Sequence, residues 1–123
     1  MKLFGLGIDI LEISRMKSKL CNDVFMNRVF SKTEKEIILN KGKNAAQTAA
    51  ANFCGKEAFV KAIGTGFRSM DLNNIEILRN NVGKPFIQLS GSYKQNFETM
   101  SFEISLTHTE TTAAAVVIAL EED

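Results

Sequence analysis

The stretch Gly55-Lys56-Glu57-Ala58-Phe59-Val60-Lys61-Ala62-Ile63-Gly64-Thr65-Gly66 closes a longer run that begins at Ala45, and the architecture hangs on it. At the helical step of 100° per residue, Ala46, Ala49, Ala50, Phe53, Cys54, Phe59, Val60 and Ile63 fall at nearly every angle. A helix over residues 45–63 is therefore expected to be buried on most sides. Within it Glu57 and Lys61 stand four residues apart and project from the same side. Burying such charges costs several kcal/mol, roughly, unless each is partnered. They either pair with each other, in the favourable Glu-before-Lys order, or serve a ligand. Gly64-Thr65-Gly66 tilts toward the ligand: one left-handed glycine ends a helix, and a second either leaves backbone bare for a ligand or simply makes a flexible turn. A cationic Lys61 beside that turn suits a phosphate.

Toward the N-terminus, Leu3 to Ile10 alternates as a strand, with Phe4, Leu6, Ile8 and Ile10 on one face and Gly5, Gly7 and Asp9 on the other. The glycine face is either packed tightly by another element or forms the floor of a site with Asp9 at its edge. From Glu12 to Phe30 the pattern is helical, with Ile13, Met16 and Leu20 on one side and a break at Cys21-Asn22-Asp23, where Asn22 or Asp23 can cap a second short helix. Ser31-Lys32-Thr33-Glu34 has the form of a capping box, its helix stops at Gly42, and Asn44 is expected to cap the central helix.

Beyond Gly66 the period becomes two. Ile75 to Arg79 and Phe86 to Leu89 flank the turn Asn80-Asn81-Val82-Gly83-Lys84-Pro85 and predict a hairpin. A short helix around Tyr93 to Glu98 precedes a strand from Phe102 to Thr107, with the only histidine, His108, just past its end. The apolar run Ala113 to Leu120 reads as a buried strand, and the tail Glu121-Glu122-Asp123 as exposed and mobile. The expected fold class is α+β, an antiparallel sheet packed against a long buried helix, with residues 1–123 as a single domain.

At 45% apolar and 24% charged residues, the 123-residue chain has the composition of a soluble globular protein. No apolar run approaches the roughly 20 residues of a membrane span, and the start lacks a cleavage-site pattern, so a cytoplasmic protein without membrane association is expected. Cys21 and Cys54 lack zinc spacing and are read as reduced, the second as core packing. The net charge is only +1, yet residues 15–44 hold eight Lys/Arg against Asp23, Glu34 and Glu36, and nothing after Lys94 is basic. Such a run is either solvated surface or a face that steers an acidic partner. With one Tyr and no Trp, nucleic acid is not expected as that partner.

Asp9, Glu57, Lys61 and His108 break apolar surroundings and make a chemical kit. Two carboxylates are too few to cage calcium but suit magnesium, which completes its shell with water and substrate phosphate. Lys61 and the glycine turn can neutralise phosphate charge, and His108 can bind phosphate, move a proton or simply be structural.

Taken in order, Gly7-Ile8-Asp9-Ile10 with Glu12 and Arg15, the Phe53 to Gly66 stretch, Gly83-Lys84-Pro85 and Ser105-Leu106-Thr107-His108-Thr109 resemble the holo-acyl-carrier-protein synthases over essentially the full length. The resemblance implies the 4'-phosphopantetheinyl transferase fold, a short subunit that assembles as a homotrimer, and sites between neighbouring subunits. It also implies the reaction: coenzyme A gives its phosphopantetheine arm to a serine of apo acyl carrier protein, leaving 3',5'-ADP, in fatty acid biosynthesis.

By the same resemblance Asp9 and Glu57 hold Mg2+, Lys61 sits on the phosphates, and His108 lies in the coenzyme site, these four forming the catalytic set. Gly64, Thr65, Lys84, Pro85 and Thr109 are implied as further substrate contacts, and Arg15, with Arg28, as the docking residues for the carrier protein. Family members commonly carry arginine where this chain has Asn52, and Asn52→Arg is expected to tighten coenzyme A binding. A non-catalytic module that binds coenzyme A or the carrier protein on the same fold is the alternative; a purely structural Glu57–Lys61 pair is a third.

Overall fold

The long helix forms over the range its pattern demands. In the computed structural model, which describes residues 1–64 and 72–123, α4 spans Ala45–Ile63 and fourteen of its nineteen residues are buried. Among the described residues four shorter helices accompany it: α1 (Ser14–Lys17), α2 (Asp23–Val29), α3 (Lys32–Leu39) and α5 (Gly91–Asn96). The strands are β1 (Lys2–Glu12), β2 (Ile75–Arg79), β3 (Pro85–Leu89), β4 (Met100–His108) and β5 (Thr112–Glu121). β5 lies between β1 and β4 in an antiparallel three-stranded sheet, and β2 and β3 form a separate hairpin. The chain is α+β, as expected.

Local chemistry explains most boundaries. The Asn22 side chain accepts the Phe25 N–H and starts α2, and Ser31 and Glu34 complete the reciprocal capping box of α3. Asn44 does precede α4, but its side chain makes no capping hydrogen bond; a 3₁₀ turn at Gly42–Asn44 leads in instead. Glu12 belongs to β1 rather than to a helix, so α1 is a single turn whose buried Met16 anchors it.

The face of β1 that carries Gly5 and Gly7 is packed by α4. A Cβ on Gly5 would lie 1.9 Å from the Ala62 carbonyl oxygen, and one on Gly7 would lie 1.8 Å from that of Ala58. Only glycine admits a helix backbone this close. Across the same face, alternate residues Ala113, Ala115, Val117 and Ala119 of β5 are buried, so α4 rests on a floor of small side chains. Phe59, Phe97, Phe102 and Tyr93 close the core on the far side, with Phe59 and Phe102 centroids 4.8 Å apart.

The opposite sheet face differs from what an apolar run suggests. Phe4, Leu6, Ile8 and Ile10 are 47%, 61%, 68% and 69% exposed, and Ile118 of β5 joins them. β5 is thus covered on one face only. The tail is also more tied than expected: Glu121 is in the ladder and pairs with Lys2, and Asp123 pairs with the chain's amino terminus.

Candidate active site

Strand register and helix packing bring Asp9, Glu57 and Lys61 together. Asp9 follows Gly7 on the helix-facing side of β1, and Lys61 lies one turn beyond Glu57 on α4. The Lys61 ammonium donates to the Ile8 carbonyl at 2.9 Å and to Asp9 Oδ1 at 3.2 Å. The cation that Asp9 binds within the chain is therefore Lys61.

Glu57 lies on the same side of α4, three residues after Cys54 and four before Lys61, the residue that meets Asp9. Burial pushes the Cys54 thiol up to about 12, and the Asp9 charge, a hydrogen bond with Asp9 and the Glu57 charge add to the rise. Cys54 packs in the core as expected, its sulfur donating to the Ala113 carbonyl at 3.6 Å. The Asp9 carboxylate thus meets an exposed ammonium on the side of α4 that also carries Glu57. Among the described residues no three His, Cys, Asp or Glu side chains are arranged to hold a metal by themselves.

His108 stands apart from this group. It ends β4, opposite Ala113, which is in turn opposite Leu11, so it shares the helix-facing side of the sheet with Asp9. Its ring meets Gln47 near the start of α4, with Nε2 to Nε2 at 2.7 Å, and its Nδ1 faces the Thr109 carbonyl at 3.2 Å. Gln47 and Glu57 are ten residues apart, or about 15 Å along the helix. A concavity of about 540 Å³ opens beside His108, its polar lining Lys17, Lys43, Asn44, Gln47, Thr109 and Glu110. Its two lysines outnumber the single carboxylate, Glu110, so its charged lining is cationic on balance. The sequence reading missed Gln47, Lys17 and Lys43, although both lysines lie in the basic run between residues 15 and 44.

The remaining predicted positions are dispersed within one chain. Gly64 ends α4 with φ +104°. Thr65, with Gly66, lies outside the described residues. Lys84 and Pro85 sit at the hairpin between β2 and β3, where Asn80 orders the turn and the Lys84 ammonium is 3.8 Å from Glu103 of β4. Thr109 shapes the β4–β5 turn by accepting the N–H groups of Thr111 and Thr112. Arg15 and Arg28 are exposed, Arg15 beside a groove of about 390 Å³ that includes Ile10, Glu12 and Thr112.

Asn52 is not a surface position awaiting an arginine. It is 1% exposed, donates to Glu34 Oε2 and the Ile77 carbonyl, and accepts from Arg79 at 2.6 Å. An arginine there meets Arg79 in the interior, so the expected gain in coenzyme binding is withdrawn.

These features define a class. The sequence model of the 4'-phosphopantetheinyl transferase superfamily matches residues 5–118, and the chain belongs to that superfamily. It is 43% identical over 119 residues to the holo-[acyl-carrier-protein] synthase of Treponema denticola, covering 94% of this chain and 97% of that one. The enzyme of the same name from Clostridium botulinum strain Alaska E43 is 45% identical over 118 residues, covering 93% and 94%. Among solved structures, the Bacillus anthracis synthase in complex with CoA (3',5'-ADP) superimposes with a TM-score of 0.82 at 30% identity, covering 98% of each chain. The Neisseria meningitidis synthase does so with 0.84 at 28% identity, covering 98% and 100%.

Proposed function

We propose that this chain is a holo-acyl-carrier-protein synthase. It moves the 4'-phosphopantetheine group of coenzyme A to a serine of apo acyl carrier protein, releasing 3',5'-ADP, in the cytoplasm and in support of fatty acid biosynthesis. The observation that carries this reading is the Asp9–Lys61 pair on the side of α4 that bears Glu57, inside a family match that spans nearly the whole chain.

The donor set fits Mg2+. Both ligands are hard carboxylates, and Asp9 already directs Oδ1 at a cation, the Lys61 ammonium 3.2 Å away. Held by Asp9 and Glu57, the ion supplies charge neutralisation at the pyrophosphate. Lys61, exposed at the rim, offsets phosphate charge beside Gly64. Glu57, directly or through water, accepts the proton of the serine hydroxyl as its oxygen bonds to the β-phosphorus. The bond from that phosphorus to the bridging oxygen breaks, and 3',5'-ADP leaves with the electron pair. His108, Thr109, Lys84 and Pro85 contact the coenzyme, and Arg15 with Arg28 receives the acidic carrier protein.

The working unit is a homotrimer. Its support is the uncovered stripe of Phe4, Leu6, Ile8 and Ile10, which a lone chain leaves in water, and the separation of His108 from Glu57, which a neighbouring copy can bridge.

Intact-protein mass spectrometry of apo acyl carrier protein, coenzyme A and this protein tests the reading. A phosphopantetheine mass gain that needs Mg2+ and vanishes in Asp9→Ala and Glu57→Ala is expected. No gain with any carrier protein of the same cell favours the binding-module alternative; full activity in both variants removes the metal assignment.

A further inference from the structure

One residue before Glu57, α4 carries a second lysine whose side chain is sealed. Lys56 and its partner Glu34 are both 0% exposed, with Nζ to Oε1 at 2.6 Å. The same ammonium donates to the Leu72 carbonyl at 3.0 Å and to the Ile75 carbonyl, so its three N–H protons meet three acceptors. The other Glu34 oxygen accepts the Ile77 N–H and the Asn52 amide, each at 3.1 Å. Burial lowers the Lys56 pKa, and the Glu34 charge opposes that shift most strongly.

The pair does not suit a role in stability alone, because similar volumes of apolar side chain serve an interior as well or better. Its geometry suits direction. At Lys56, α4 is tied to α3 through Glu34, to the 3₁₀ turn before β2 through the Leu72 carbonyl and to the start of β2 through that of Ile75. Glu57 is the next residue, 100° around the helix. A side-chain tip lies roughly 6 Å from the axis, so turning α4 by about 10° moves the Glu57 carboxylate about 1 Å. Displacements of that size at a reacting centre cost about 100-fold in rate.

We propose that Lys56 is a positioning residue: its bonds to Glu34, Leu72 and Ile75 set the rotation of α4, and with it the aim of Glu57 at the site shared with Asp9. This inference rests on the transfer reading above.

The test uses Glu34→Gln/Lys56→Met, which removes both buried charges at similar volume. It is checked for folding by circular dichroism and for the wild-type oligomer by sedimentation. The folded variant is expected to lose tenfold or more in kcat at a carrier-protein KM within twofold of wild type. Its Mn2+ affinity without substrates, titrated by electron paramagnetic resonance, is expected to weaken at least tenfold. Should the double variant not fold, Glu34→Gln alone decides by the same readouts, with a threefold loss expected. A folded variant with kcat and Mn2+ affinity within twofold of wild type overturns the proposal. Wild-type protein and Glu57→Gln are the controls: no transfer by wild type with any carrier protein fails the transfer reading, and wild-type transfer by Glu57→Gln fails only the role given to Glu57, while the Mn2+ titration still reports on Lys56.

Discussion

The two faces of the three-stranded sheet differ in what finishes them. On the inner face, Gly5, Gly7 and the alternate alanines of β5 admit α4 so closely that backbone meets backbone. On the outer face, Phe4, Leu6, Ile8 and Ile10 present large apolar groups to solvent. The inner face is completed by the chain itself and holds Asp9 against Lys61. The outer face is an exposed apolar stripe, the surface on which the proposed trimer rests. Asp9 thus takes its place from packing within one chain, whereas the proposed shared site would also need packing between copies.

Breaking the outer face produces the largest effect. Ile8→Glu puts a charge on the apolar stripe, and the expected outcome is a folded monomer by sedimentation whose transfer rate falls 100-fold or more. A fully active monomer contradicts the shared site. Breaking the inner face is next: the Cβ of Gly7→Ala meets the Ala58 carbonyl, and about 3 kcal/mol of stability is expected to disappear in urea unfolding, at the upper end for overpacking. A loss under about 1 kcal/mol contradicts so close an approach.

The smallest effect concerns a thiol on the inner face. The folded chain holds the Cys54 proton from the ordinary value of 9.0 to about 12, whereas the unfolded chain releases it near 9.0. The folded state binds more protons across that window, so this thiol makes stability fall as pH rises through it. Lys56, lowered by burial, contributes with the opposite sign but equally in Cys54→Ala, and cancels in the difference. In chelator, wild type is expected to lose more stability between pH 8 and pH 10 than Cys54→Ala. Equal losses place the thiol in a more solvated setting.

Much of the fold is legible because its signals are local. α4 shows its bounds through all-round apolarity and Gly64, α3 through Ser31 and Glu34, and the hairpin through Asn80 to Pro85. The pairing of Asp9 with Lys61 is half legible: the sequence isolates both as polar interruptions, but their contact depends on a strand and a helix 52 residues apart. Glu34 is legible as a cap and not as the partner of Lys56, because a local role masked a distant one. The uncovered stripe of β1 is invisible for a related reason. Period-two apolarity shows that one face seeks cover, not whether the cover comes from the same chain.

The sharpest measurement is subunit complementation. Glu57→Ala and His108→Ala proteins, each inactive alone, are unfolded together, refolded as mixed oligomers and assayed for phosphopantetheine transfer. If Glu57 and His108 of one site come from neighbouring subunits, some interfaces regain both residues and activity returns to a substantial fraction of wild type. If mixed oligomers form and remain as inactive as their parents, the site lies within a single subunit and the shared site between copies is refuted.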